Sequence, residues 1–358
     1  MFRCTVCGTE YSEFRYTCSK CGSVLLAVDY PMKWEPEGVG LWRYGSMLPV
    51  LRSISLSEGG TPLVRRRDSK EEVFLKFEGD NPTGSFKDRG STVVISDAFN
   101  QGYKSTTVAS TGNMGASVAA YSAYANMTTR IFIPEGIPPE KVAQITAYGA
   151  ELVPVPGGFA QAVKSSLEET EKGIYLASSG LNPYFIEGLK TIAFEIFEQM
   201  GVPDRIVVPT GTGGLLTAIH KGFEELRSLG VSDKVPQMIA VQSAVVAPIV
   251  EAWRDRTELR TPGEVSTIAS AILVKVPFNG RSAIDSMNRS GGYGVTVTDH
   301  QLIQAIKALG QEGIFAEPAA AASMAALPDL EPWPDSRTVL MITGSGLKDP
   351  SVVLRRDL

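Results

Sequence analysis

From Val73 onward the sequence alternates short apolar runs with longer helix-like segments, and this alternation limits the possible folds more than any other feature. Strand-like runs are expected at 73–77, 107–109, 130–133, 152–155, 206–209, 238–241 and 338–342. Helices are expected at 88–100, 115–125, 139–148, 159–172, 187–199, 214–229, 299–309 and 318–326. Strands separated by 10–15-residue helical patterns build βαβ units. Several of the runs lack polar alternation, as parallel strands covered on both faces require. The expected class is α/β, with parallel-type sheets flanked by helices. A chain of 358 residues suits about two domains. In such sheets ligands bind beyond the carboxyl ends of the strands, so chemistry is sought in the loops that follow them.

Composition narrows the function classes. The net charge of −5 attracts neither nucleic acid nor an anionic membrane surface, and no such partner is expected. No apolar run approaches the ~18 residues of a membrane span, and Met1-Phe2-Arg3-Cys4 does not open a signal peptide, so a cytoplasmic chain is expected. Two histidines argue against a multi-histidine metal site and against a Ser-His-Asp hydrolase. Glycine is abundant, 35 residues, and is concentrated in loops after strand-like runs.

All four cysteines lie in the first 21 residues, as Cys4-Thr-Val-Cys7 and Cys18-Ser-Lys-Cys21, each pair followed by a glycine, Gly8 or Gly22. Such pairs curl into knuckles whose glycine turns backbone N–H groups toward the thiolates. Four thiolates suit tetrahedral zinc; two disulfides are the alternative, rare in the expected cytosolic setting. Residues 1–25 are therefore expected to form a small zinc-ribbon-like module with a closed, structural site. Residues 26–60, with Trp34, Pro36, Gly38, Gly40, Trp42 and Pro49, read as an irregular arm.

Four loops carry candidate chemistry. Asn81-Pro82-Thr83-Gly84-Ser85-Phe86-Lys87-Asp88-Arg89-Gly90 places a lysine at a loop-to-helix junction, where its amine can act as a nucleophile. Ser110-Thr111-Gly112-Asn113-Met114-Gly115 offers hydroxyls, an amide and helix N-terminal N–H groups to an anion. Pro209-Thr210-Gly211-Thr212-Gly213-Gly214 can close its backbone around a phosphate dianion. Thr343-Gly344-Ser345-Gly346 follows the last strand. Taken singly, each glycine loop is an ordinary turn. Together they supply a nucleophilic lysine, a phosphate cup, an anion receptacle and a ring-facing hydroxyl, which is what pyridoxal phosphate requires.

The segment 81–90 resembles the cofactor-lysine motif of threonine synthases, which are fold-type II pyridoxal-phosphate enzymes. The resemblance extends through the cysteine module, Trp42-Arg43-Tyr44, Gly59-Gly60-Thr61-Pro62-Leu63, Asn182-Pro183-Tyr184, Glu187-Gly188 and the loop from Thr343. It implies a large cofactor-binding domain at 26–90 and 173–358, a smaller inserted α/β domain at 91–172, and a homodimer. By motif position Lys87 is the Schiff-base lysine and Phe86 packs on the ring. Asn113 binds the ring's phenolic oxygen, and Gly211, Thr212, Gly213 and Gly214 cradle the phosphate. Thr343 faces the pyridine nitrogen as a neutral group, while Ser110, Thr111 and Asn113 bind the substrate carboxylate. Glu317 resembles an acidic residue near the ring. The implied activity is a carbon–oxygen lyase reaction on an amino-acid substrate, converting O-phosphohomoserine and water to threonine and phosphate. The alternatives are a serine/threonine dehydratase and a β-replacement synthase making cysteine or cysteate. Met114, Gly180 and Phe185 stand where the family places polar groups for the substrate phosphate. Ser178, Ser179, Lys190, Arg281 and Lys348 are the replacements to weigh.

Overall fold

The computed structural model describes residues 1–67, 72–137 and 139–354. Three short strands open the chain: β1 (Phe2–Cys4), β2 (Glu10–Tyr11) and β3 (Leu25–Ala27). β4 (Leu63–Arg65) and β5 (Glu72–Phe77) follow. Next come α1 (Lys87–Asn100), β6 (Ser105–Ala109), α2 (Asn113–Tyr124), β7 (Thr128–Pro134), α3 (Pro139–Ala147), β8 (Glu151–Val155), α4 (Gly158–Glu168) and β9 (Tyr175–Leu176). The remainder holds α5 (Pro183–Met200), β10 (Arg205–Pro209), α6 (Gly214–Ser228), β11 (Gln237–Ser243), α7 (Pro248–Asp255) and α8 (Gly280–Ser290). It ends with β12 (Gly294–Val297), α9 (Asp299–Gln311), α10 (Ala322–Ala325) and β13 (Arg337–Ile342).

Two compact units emerge. The first comprises Met1–Gly59 and Asn81–Leu189. Its main sheet is parallel, in the order β8-β7-β6-β9. The apolar strand residues Val108, Ile131 and Ile133 are buried with the α2 face of Val118, Ala119 and Tyr121. Helix α1 stops where Gly102, at φ 83°, turns the chain and its N–H bonds the Phe99 carbonyl. The front three strands pair antiparallel in the order β2-β1-β3. This module has a small core of Phe2, Cys4, Cys18, Leu25 and Ala27. It seats Phe2 edge-on against Tyr184 (5.6 Å between centroids) and stacks Phe14 on Tyr184 (5.3 Å) and Tyr175 (6.1 Å). Such ring pairs add to simple area burial. The Tyr16 hydroxyl accepts from the Leu176 N–H at 3.0 Å.

The second unit comprises Gly60–Asp80 and Lys190–Leu358. Its sheet runs β12-β11-β10-β13-β5-β4, parallel except that β4 is antiparallel to β5. The core gathers Val73, Leu75, Val207, Ile239, Val241, Leu340 and Ile342 with Leu302, Leu309 and the Ala319–Ala322 stretch. Alanines let that stretch approach the sheet closely. A buried ion pair, Lys76 Nζ to Glu195 Oε2 at 2.8 Å, is completed by the Thr61 carbonyl (2.7 Å) and Gln199 Oε1 (3.0 Å), so this charge pair is hydrogen-bonded as burial demands. Helix α9 begins with a capping box formed by Thr298 and Gln301.

All seven expected strands occur, extended by up to two residues at either end. Helix boundaries shift more. α5 begins at Pro183, four residues before the expected start, and the helix expected at 318–326 contracts to Ala322–Ala325 behind a run of turns. The unit boundaries also differ from the expected domain boundaries. Residues 26–59, 81–90 and 173–189 group with 91–172. The physical reason is pairing: β9 joins β6 in the smaller sheet, and α1 packs on α2.

Candidate active site

In the first unit, the loop before α1 is held by one carboxylate. Asp88, fully buried, accepts from the Thr83 N–H (2.6 Å), the Thr83 hydroxyl (2.6 Å) and the Ser117 hydroxyl of α2 (2.6 Å). Gln144 Nε2 adds a bond to the Thr83 carbonyl at 3.1 Å. These bonds fix the backbone immediately before and after Lys87, the first residue of α1. Lys87 is half-buried, and its Nζ lies 4.4 Å from the Phe86 ring centroid and 5.6 Å from that of Phe185. The two rings set a flat aromatic surface against the amine and keep water from one side. Helix α5 presses directly on α1 here. A Cβ at Gly90 would fall 2.4 Å from the Phe185 ring, and one at Gly188 would fall 1.9 Å from the Arg89 carbonyl oxygen. The hydroxyl of Ser85 is fully buried and has no hydrogen-bond partner among the described residues.

The loop between β6 and α2 is organised by Ser110, whose hydroxyl oxygen accepts from Gly112 N (3.3 Å) and Gly115 N (3.0 Å). Ser110 thus caps the loop with its oxygen and keeps one hydrogen to donate. Thr111 is half-buried, and Asn113 is the first residue of α2. Met114 and Gly180 are buried, and Phe185 is fully enclosed. Ser178 accepts from Gly180 N at 3.3 Å. Tyr184, beside Phe185, is held protonated by burial, and burial likewise raises Asp97, to which the Tyr175 hydroxyl donates at 2.6 Å.

In the second unit, β10 runs into the loop of Thr210, Gly211, Thr212 and Gly213, and α6 starts at Gly214. Gly213 sits at φ 89°, and a Cβ there would meet the Asn279 carbonyl oxygen at 2.7 Å, so glycine is required twice over. The Thr210 N–H donates to the Val241 carbonyl (2.7 Å) and its hydroxyl to Val208 (2.7 Å), which anchors the loop's base. Thr343 is buried at the end of β13. Its loop pairs with residues 315–317: Glu317 N donates to Gly344 O (3.2 Å), and Gly346 N to Phe315 O (2.8 Å). The expected Thr343 and Glu317 are thereby brought together. Of the replacement phosphate ligands, Lys190 is fully buried in an ion pair with Glu225 (2.7 Å), and Arg281 pairs with Glu258 on the surface.

The four cysteines of the front module form no disulfide, and their Sγ atoms all lie within 4.8 Å of one another. Val6 and Cys7 N–H groups point at Cys4 Sγ (3.5 Å each), with Gly8 at φ 69° and Gly22 at φ 72° closing the knuckles.

Residues 54–344 match the family of pyridoxal-phosphate dependent enzymes. The threonine synthase of Methanocaldococcus jannaschii is 42% identical, with 99% of this chain and 94% of that protein covered. The chain belongs to this family. The threonine synthase of Methanosarcina acetivorans is 41% identical over 98% of this chain and 93% of its own length. Among solved structures, maize serine racemase superposes with a TM-score of 0.70 at 21% identity, covering 82% of this chain and 90% of that one, which speaks for the shared fold.

The residues present fit the family's cofactor. Gly211 and Gly213 form a side-chain-free cradle at the N-terminus of α6, which favours a phosphate. Lys87 presents an amine at a pre-shaped junction, and Thr343 presents a neutral hydroxyl. Sequence motifs identified those groups. They did not reveal the Asp88 clasp, the orphan hydroxyl of Ser85 or the Gly188 contact, because each depends on what packs opposite; the adjacency of Asp88 to Lys87 was the only local signal.

Proposed function

We propose that this chain is a threonine synthase, converting O-phosphohomoserine and water to threonine and phosphate. The observation that carries the reading is identity to threonine synthases across nearly the whole of both chains. The structural likeness to a serine racemase is at the level of fold, so the dehydratase and β-replacement alternatives lack comparable support. Pyridoxal phosphate supplies an electron sink that acidifies the α-proton of a bound amino acid. Lys87 would hold the cofactor covalently and, as a free amine, would carry protons to and from the substrate carbons. Phe86 covers one face of the ring, and Asn113 bonds the phenolic oxygen. Thr343 leaves the pyridine nitrogen neutral, which suits elimination better than transamination. Gly211, Thr212, Gly213 and Gly214 receive the cofactor phosphate; Ser110, Thr111 and Asn113 receive the substrate carboxylate. The γ C–O bond would break as phosphate departs and the Cβ proton is lost; a proton delivered to Cγ would make the methyl group, and water would add its hydroxyl at Cβ as Cα regains its proton.

The test is phosphate release from O-phosphohomoserine, run beside keto-acid detection with threonine and serine. Phosphate and threonine in equal amounts are expected. Keto acid without phosphate release would overturn the reading in favour of a dehydratase.

A structural zinc at Cys4, Cys7, Cys18 and Cys21 belongs to the same proposal, supported by the four clustered free thiols. One zinc per chain is expected by elemental analysis. Chelation is expected to lower the unfolding temperature, because the module's rings cover Tyr175 and Tyr184. A metal-free protein of unchanged stability would remove zinc from the picture. A cytoplasmic homodimer completes the proposal; no helix among the described residues is long and apolar enough to cross a membrane.

A further inference from the structure

The glycine loop has a neighbour that no sequence motif marks. Helix α8 is capped by Asn279, and α6 is capped by Gly213; these two cap residues touch. The Asn279 N–H donates to the Thr212 carbonyl at 2.9 Å. A Cβ on Gly213 would lie 2.7 Å from the Asn279 carbonyl oxygen and 3.0 Å from Ala283 Cβ in the first turn of α8. Two helix N-termini, each carrying partial positive charge, therefore meet at the loop.

The side chains at this junction behave unusually. An asparagine at a cap position ordinarily accepts a hydrogen bond from the first turn of its helix. Asn279 makes no such bond. It is 2% exposed, and its Nδ2 has no hydrogen-bond partner among the described residues. Ser282, three residues on, is 8% exposed, and its Oγ is likewise without a partner. Its backbone carbonyl is already used by Ser286 (2.8 Å), but its hydroxyl is not. Buried amide and hydroxyl groups are almost always bonded. Two such groups beside paired helix N-termini suit an oxygen-rich anion.

We propose that Asn279 and Ser282 are phosphate-binding residues that complete the cup of Gly211–Gly214 from the α8 side, their ligand being the phosphate monoester of the cofactor. The inference rests on the glycine loop being the cofactor-phosphate cup. It adds side-chain donors to a site otherwise built from backbone, so that cofactor retention depends on two residues some 70 positions from the motif.

The experiment titrates the cofactor-free protein with pyridoxal phosphate and with pyridoxal, which lacks the phosphate, following visible absorbance and unfolding temperature. Asn279→Asp is the sharpest variant. It keeps side-chain size, and no cap hydrogen bond is lost because Asn279 makes none, but it brings a negative charge to the phosphate. Ser282→Ala removes one donor. Losses of pyridoxal phosphate affinity on the order of 10- to 100-fold for Asn279→Asp, and several-fold for Ser282→Ala, are expected for bonds to a charged group. Pyridoxal affinity and the unfolding temperature without cofactor are expected to stay as in the parent. An unchanged preference for pyridoxal phosphate over pyridoxal would overturn the assignment. If that preference holds while the KM for O-phosphohomoserine rises, the two donors serve the substrate's phosphate instead, and the cofactor assignment is equally overturned. Gly213→Val separates the two levels. Loss of pyridoxal phosphate binding there, with none at residues 279 and 282, leaves the glycine cup standing and removes only this extension of it.

Discussion

Replacing Lys87 with alanine is expected to abolish threonine formation and the visible absorption of bound cofactor together. The side chain is the one amine at the start of α1, set against the Phe86 and Phe185 rings. No other group on that loop can form the covalent link or carry protons between carbon atoms. Loss of covalent and acid–base catalysis at one residue typically removes three or more orders of magnitude in rate. The fold is expected to survive, because alanine is the best helix former and Lys87 is half-buried. Far-ultraviolet circular dichroism of the variant checks that point. Turnover or cofactor colour retained in Lys87→Ala would mean that the wrong lysine has been chosen.

The second large effect is expected at Gly188, which touches no ligand. A Cβ there would lie 1.9 Å from the Arg89 carbonyl oxygen, 2.6 Å from its carbon and 2.8 Å from Gly90 Cα. All three are backbone atoms of α1, so no side-chain rotation relieves the clash. Gly188→Ala must push α5 away from α1, just where Phe185 supports the lysine. Overpacking of this kind costs about 3 kcal/mol or more, and for a unit of this size lowers the unfolding temperature by roughly 6–12 °C. Gly310→Ala in α9 is the matched control. Its Cβ would meet nothing within 4 Å, and alanine there is expected to be neutral or to stabilise slightly. Equal melting temperatures for the two variants would refute the packing argument.

The sequence was most informative where a residue's surroundings follow from its own type. Buried parallel strands must be apolar over their whole length, and β5, β10, β11 and β13 are readable on that ground. β9 has two residues and β12 begins with Gly294, so neither gives a run long enough to recognise. Helix α8, with Arg281, Ser282, Asp285, Asn288 and Arg289, offers too few apolar positions to mark a stripe. The helix starts at Lys87, Asn113 and Pro183 were placed late because their first residues read as loop chemistry, and they are both. The proposed cofactor lysine and the proposed glycine cup could be picked out because such groups require particular residue types at fixed spacing. Asp88, Gly188, Asn279 and Ser282 were not, since an aspartate, a glycine, an asparagine and a serine have many ordinary uses. Only the partner across the packing interface, or the lack of one, tells these uses apart.

The order of strands in the larger sheet also bears on how the chain is made. β5 pairs on one side with β4 and on the other with β13, and β13 in turn joins β10. The last strand to be synthesised is therefore an interior one. Until residues 337–342 emerge, the early β4–β5 pair and the later β10–β11–β12 group each present an unpaired, apolar edge to their surroundings. Closing the sheet joins segments more than 250 residues apart, which makes assembly slow and leaves those edges open to intermolecular pairing meanwhile. A ribosome stalled near residue 330 would hold a chain with nearly all its helices and the larger sheet unfinished.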